Sequence, residues 1–182
     1  MALSLDASTP PELVASHFAQ HGTLNGVHID PGVGVAELEQ IARLHLGHDH
    51  DECVLDLVIA HPAADADLLE VIFGLAPDSS QVANSITMSS KAPVALLQKL
   101  AASDSPGVRD HVQMALLERE LAVADDAGFM AALQRLKDHD TLGYGVRYRL
   151  ATHPRTPAAV LKHIATFADE TGQTARDRLA SG

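Results

Sequence analysis

A helix-opening phrase recurs along this 182-residue chain, and that repetition limits what the chain can fold into. Its fullest form is Thr156-Pro157-Ala158-Ala159-Val160-Leu161-Lys162-His163-Ile164-Ala165. Shorter forms stand at Ala92-Pro93-Val94-Ala95-Leu96-Leu97 and Thr9-Pro10-Pro11-Glu12-Leu13-Val14. Threonine before proline reads as a helix start: the hydroxyl caps free N–H groups, and proline in the first turn gives up a donor that has no partner there. Leu161, Ile164 and Ala165 then fall at helical spacing. Weaker copies run over Asp65 to Ile72 and around Leu38-Ile41-Ala42 and Leu133-Leu136. Anchored on the position of Leu161, the copies sit at Val14, Leu38, Leu69, Leu97, Leu133 and Leu161, separated by 24, 31, 28, 36 and 28 residues. Each interval suits one helical hairpin, so the pattern predicts an array of stacked hairpins, with insertions concentrated in two connections.

A second apolar pair follows each first helix, at Val54/Val58, Val82/Ile86, Val108/Val112, Val146/Leu150 and Ala175/Leu179. Spacing of four again reads as helix, with punctuation before it at Asp78-Ser79-Ser80, Asp104-Ser105-Pro106-Gly107, Asp140-Thr141 and Thr171-Gly172. Two of these helices end at His61-Pro62 and His153-Pro154, where proline disfavours continuation. Composition agrees: 29 Ala and 24 Leu against six aromatics supply good helix formers of modest size, suited to short helices at close range. Residues 21–36, with four of the twelve glycines and no helical stripe, read as a loop. The expected organisation is an N-terminal cap helix and Gly-rich loop over 1–34 and one continuous repeat array over 35–182. Residues 116–124 extend the preceding helix before a turn at Asp125-Asp126-Ala127-Gly128.

Thr-Pro-x-x-Val-Leu-x-x-Ile-Ala with Val-Arg-x-x-x-Leu-Ala-x-His-Pro resembles the leucine-rich repeat variant family within the HEAT-like helical repeats, best at residues 92–115 and 146–165. The resemblance implies an all-α fold, a right-handed superhelical solenoid of about six degenerate hairpins, in which the second helix of a unit is α or 3₁₀. Some members of that family carry an N-terminal cysteine cluster for an iron–sulfur centre. This chain has one cysteine, Cys53, so no cofactor is carried over.

Formal charge is −11, and it is unevenly spread: −12 over residues 1–90, −2 over 91–140 and +3 over 141–182. That balance disfavours nucleic acid, which calls for a clustered basic surface, and anionic membranes. No apolar run reaches the length of a membrane span. The opening Met1-Ala2-Leu3-Ser4-Leu5-Asp6 has no basic region and no apolar stretch, and with a lone cysteine it gives the expectation of a reducing, cytoplasmic setting. The charge gradient would also suit weak head-to-tail self-association.

Arginine is the most patterned polar residue. Arg109, Arg147 and Arg176 follow the buried position of three second helices, and Arg149 and Arg178 add a second row. Aligned along one face they would form a guanidinium ladder for carboxylates; alternatively each ties its unit to a helix-terminal carbonyl or an Asp. His45, His48, His50 and Cys53, with Asp49, Asp51 and Glu52, put soft donors suited to zinc or nickel into nine residues, but no second ligand cluster accompanies them. The segment is read as a solvated acidic turn. Gly32-Val33-Gly34 lacks the third glycine of a dinucleotide fingerprint, Ser90-Lys91 has no catalytic companions, and the aromatics are scattered and mostly on core stripes. The reading taken is a non-catalytic scaffold whose Arg rows hold an acidic segment of a protein partner. The rivals are a HEAT-like enzyme or accessory, of DNA-glycosylase or lyase type, and a self-assembling structural protein.

Overall fold

The computed structural model describes residues 3–137, 139 and 142–181. In chain order its elements are β1 (Leu3–Leu5), α1 (Pro11–His21), β2 (Val27–Ile29), α2 (Val35–His45), α3 (Asp51–Ala60), α4 (Ala66–Leu75), α5 (Ser80–Met88), α6 (Val94–Leu100), α7 (Pro106–Val123), α8 (Asp126–Leu136), α9 (Gly143–Thr152), α10 (Ala158–Ile164) and α11 (Glu170–Ser181). The fold is all-helical apart from two three-residue strands. Contacts divide it into two compact units, Met1–Val112 and Gln113–Gly182. The Asp140-Thr141 turn expected before α9 lies outside the described residues.

First helices share one starting geometry. The carbonyls of Gly34, Asp65, Pro93, Asp125 and Pro157 accept from the N–H groups of Leu38, Leu69, Leu97, Phe129 and Leu161 at 3.0–3.1 Å, and all five acceptors of this first helical bond are N-cap residues. Each donor residue is buried. The comparison corrects one anchor. In α8 the equivalent residue is Phe129, and Leu133 sits one turn later, so the intervals from Leu97 to Phe129 and from Phe129 to Leu161 are both 32 residues. An aromatic residue takes the place of the aliphatic anchor in α8.

The threonine–proline phrase works differently from its sequence reading. Pro10, Pro93 and Pro157 are themselves the N-caps, with ψ of 137°, 152° and 148°, and none has a side-chain cap bond. Buried Thr156 instead donates its hydroxyl back to Leu150 O at 2.5 Å, near the end of α9. Side-chain capping falls to Asp65, Ser79, Asp125 and Asp169, which accept from Leu68, Val82, Gly128 and Gly172 N–H at 2.8–3.1 Å. Asp125 therefore opens α8 directly, where a separate turn was expected.

One joint recurs five times among the described residues, starting at Asp6, Asp30, His61, Ser89 and His153. In each, the residue three positions on returns its N–H to the first residue's carbonyl at 2.9–3.2 Å. In each, the first residue's side chain also accepts the N–H two positions on: Asp6 from Ser8, Asp30 from Gly32, His61 from Ala63, Ser89 from Lys91 and His153 from Arg155, at 2.8–3.3 Å. Carboxylate, imidazole and hydroxyl are interchangeable here because the joint asks only for a short side chain with a lone pair, as in Asx-type turns. For histidine this fixes the tautomer: Nδ1 accepts, and in His61 Nε2–H donates to Asp30 O at 3.0 Å, tying one joint to the one before. Lys91, in the third position of its joint, reaches back to His61 O and Pro62 O; Arg155, in the same position, reaches Ala122 O and Ala124 O.

In the first unit α2 packs on α3 and α4, α3 on α5, and α4 on α5, so first helices lie on first helices and second on second. The segment expected to be a loop supplies β2, which pairs in parallel with β1 (Leu3 opposite Val27, Leu5 opposite Ile29) and packs on α3, where a preceding second helix would lie. Two three-residue alternations, Leu3-Ser4-Leu5 and Val27-His28-Ile29, are too short to stand out by periodicity. Gly22 ends α1 at φ 66°, a conformation costly for other residues. In the second unit α8 packs on α9 and α10, α9 on α11, and α10 on α11, around Leu117, Phe129, Leu133, Val146, Leu150 and Ile164. No helix among the described residues is long and apolar enough to cross a membrane.

Candidate functional site

Four of the five singled-out arginines are committed to backbone carbonyls. Arg109 Nη1 donates to Ser103 O at 2.7 Å, just past the end of α6. Arg147 Nη1 donates to Lys137 O, the C-cap of α8, at 2.7 Å, and Nη2 pairs with Asp169 Oδ2 at 2.9 Å. Its guanidinium lies 4.4 Å from the Phe167 ring centre, and its side chain is 14% exposed. Arg176 Nη1 donates to Ala165 O, the C-cap of α10, at 2.7 Å and to Phe167 O at 3.3 Å. Arg178 binds Ala151 O and His153 O at 2.7 and 2.8 Å. A cation at a helix C-terminus meets the negative end of the helix and satisfies carbonyls that have no intrahelical donor. Room for these contacts is made by Gly143 and Gly172, where an added Cβ would collide with Lys137 O and Phe167 O. Asp169 completes the arrangement: the Thr171 hydroxyl first, with Arg147 and the Gly172 N–H, holds its carboxyl down at about 2.

Arg149 is different. Its side chain is 57% exposed and, among the described residues, pairs with the half-exposed carboxylate of Glu118 alone, at 2.9 Å. The two side chains edge a groove of about 320 Å³ lined also by Leu121, Thr152, His153 and Pro154. Beside Arg149 in sequence, Tyr144 and Tyr148 stack at 6.3 Å and 18°, 46% and 42% exposed, with Tyr144 Oη donating to Glu170. That bond raises the Tyr144 pKa above the usual phenol value. They are the two exposed aromatics of six, the four phenylalanines being buried or partly buried. The signal was present in the sequence: Val146 and Leu150 mark the buried side of α9, and residues two positions earlier point roughly 200° away.

The histidine-rich connection between α2 and α3 is solvated at Gly47, His48 and Asp49 but not at its two ends. His45 and His50 are 0% and 1% exposed, whereas His48 and Asp49 are exposed and Cys53 is partly buried. Among the described residues no group of three or more His, Cys, Asp or Glu could hold a metal ion. Lys91 of the Ser90-Lys91 pair is occupied with the carbonyls of the preceding joint. A further cavity of about 430 Å³ in the first unit is edged by Asp78 and Asp104, and its lysine, Lys99, pairs with Glu70 at 2.5 Å.

No family model, no curated protein and no solved structure matches this chain.

Proposed function

We propose that the chain is a non-catalytic, protein-binding helical-repeat scaffold of the leucine-rich repeat variant and HEAT-like type, a right-handed superhelix working in the cytoplasm. Within each unit, first helices pack on first helices and second on second, and the same joint recurs five times; both support an array. The observation that carries the binding reading is the exposed face of α9. A stacked pair of half-exposed tyrosines next to an exposed arginine is the residue chemistry of interface hot spots, and solvation alone gives no reason to hold two phenol rings in register. The partner is an acidic segment of another protein. Arg149 already holds an exposed carboxylate, and a partner's carboxylate can take that place while the tyrosines pack on the adjoining apolar groups. Arg147, Arg176 and Arg178 support this face by fixing helix ends of the second unit, Arg149 makes the contact, and Arg109 fixes the end of α6 in the first unit.

The experiment is capture from native lysate by wild type, Tyr148→Ala and Arg149→Ala, with thermal unfolding of each, followed by titration of the captured protein's acidic segment as a synthetic peptide. The expected result is one partner lost with both variants while unfolding is unchanged, and peptide affinity that falls as salt rises. An identical captured set for all three proteins refutes the reading.

A further inference from the structure

The buried histidines of the first unit form a pair with an unusual proton inventory. His45 ends α2 on the stripe of Leu38, Ile41 and Ala42, and His50, the N-cap of α3, leads the stripe of Val54 and Val58, so both rings turn into the core. His45 Nδ1 and His50 Nε2 lie 3.1 Å apart in a ring-to-ring hydrogen bond. The outer nitrogens, His45 Nε2 and His50 Nδ1, are buried without a partner. One proton occupies the shared bond, so in either tautomeric arrangement one outer nitrogen carries a proton and the other is bare. A second proton on the shared contact would set two N–H groups against each other; on the bare outer nitrogen it would make a buried cation with no acceptor.

Among the described residues only Asp49 and Asp51, in the pair's own connection, favour such a cation, and burial outweighs them. Asp51 accepts from the Gly47 and Glu52 N–H groups, Glu52 from the Ser79 hydroxyl, and Asp56 from Gln81 and Ser85. Of the elements packed on α2 and α3, α5 carries no titratable residue, β2 carries only exposed His28, and α4 carries exposed Asp67 and Glu70, which is paired with Lys99. On α2 itself Glu39 pairs with Arg43, and Glu37 stands in the first turn. The groups that act on the pair come from its own connection: His48, whose ring stacks on His50 at 5.5 Å, with Asp49 and Asp51.

We propose that His45 and His50 form a proton-operated latch that holds α2 on α3 while both rings are neutral and releases that joint when the pair takes up a proton. Burial first, then the His50 and His48 rings, lowers the His45 pKa to about 4, and burial lowers that of His50 in the same direction. An unfolded histidine titrates at about 6.5. The opened form therefore binds protons that the closed form refuses. The latch is fully closed above about pH 6.5, and its contribution is lost as pH falls from there towards 4. Over that window the opening equilibrium shifts by about one to two orders of magnitude.

The test follows imidazole nitrogens by NMR and amide exchange, corrected for intrinsic rate, in the full chain between pH 7.5 and 4.5. Both rings should stay neutral in the closed form, and exchange in residues 35–60 should rise at least tenfold while that of α9–α11 does not. Buried His61 accepts from Ala63 and donates to Asp30 O, so it would act on residues 30–33 and 61–64, and residue-level exchange separates it from the pair. A His45→Leu/His50→Leu variant should keep its protection at pH 5. Rings that titrate near pH 6.5 with unchanged protection overturn the proposal, and they do so even if that variant fails to fold. An equal rise in α9–α11, or a full acid response in a folded double variant, overturns it as well.

Discussion

Replacing Arg147 with alanine separates the two roles the sequence left open for the arginine rows. The side chain contributes a charge-assisted bond to Lys137 O, a pair with Asp169 and a face over Phe167. The first is worth about 1.5–3 kcal/mol and the cation–π contact about 0.5–1. The pair is discounted to below about 1, because the Asp169 side chain is one-third exposed. These terms share one guanidinium and do not add in full, so the expected loss is about 2–4 kcal/mol. Arg147→Lys, which keeps the charge but cannot span Lys137 O and Asp169 together, should lose about half as much. The assay is urea unfolding at pH 7, read from midpoints at constant slope. A loss below about 1 kcal/mol for Arg147→Ala, with partner capture abolished, would refute the assignment of Arg147 to helix-end support and restore it to the binding face.

Two further outcomes follow from the packing and the charges. Phe129→Ala should cost about 3–5 kcal/mol by urea unfolding, at least as much as Leu133→Ala, because Phe129 is the fully buried anchor of α8. Asp169, depressed to about 2 from an ordinary 3.8, contributes stability that is complete above pH 3.8 and lost as pH falls towards 2. Urea midpoints from pH 6 to 2 should therefore fall more steeply in wild type than in Asp169→Asn, and parallel curves would count against the Thr171, Arg147 and Gly172 contacts.

What the sequence disclosed depended on how far each signal extended. Aliphatic stripes at Leu38, Leu69, Leu97 and Leu161 persist over two turns, and they located the first helices. The continuation of α7 through residues 116–123 was legible for the same reason. Phe129 is hidden from an aliphatic pattern because it is the one aromatic among the anchors. β1 and β2 are too short for their alternation to register, and each depends on the other for its hydrogen bonds. The arginine register was visible, but its partners are carbonyls, which every residue has and no sequence marks. Burial of His45 and His50 was implicit in their spacing from Ile41 and Val54, yet the surrounding Asp49, Asp51 and Glu52 gave the segment the composition of a surface turn.

The five-fold joint bears on how such a chain can change length. Each joint leaves the same two backbone donors satisfied by its own first residue, and its side-chain lacing reaches back only to the preceding hairpin. Recombination between any two joints therefore exchanges like for like. A copy spliced in or lost between Ser89 and His61, for example, meets the backbone it would have met in its own place. Gene duplication and deletion at these seams would preserve local structure whatever the rest of the unit encodes, which leaves helix surfaces free to diverge while the seams retain only an acceptor, and often a proline, as their trace.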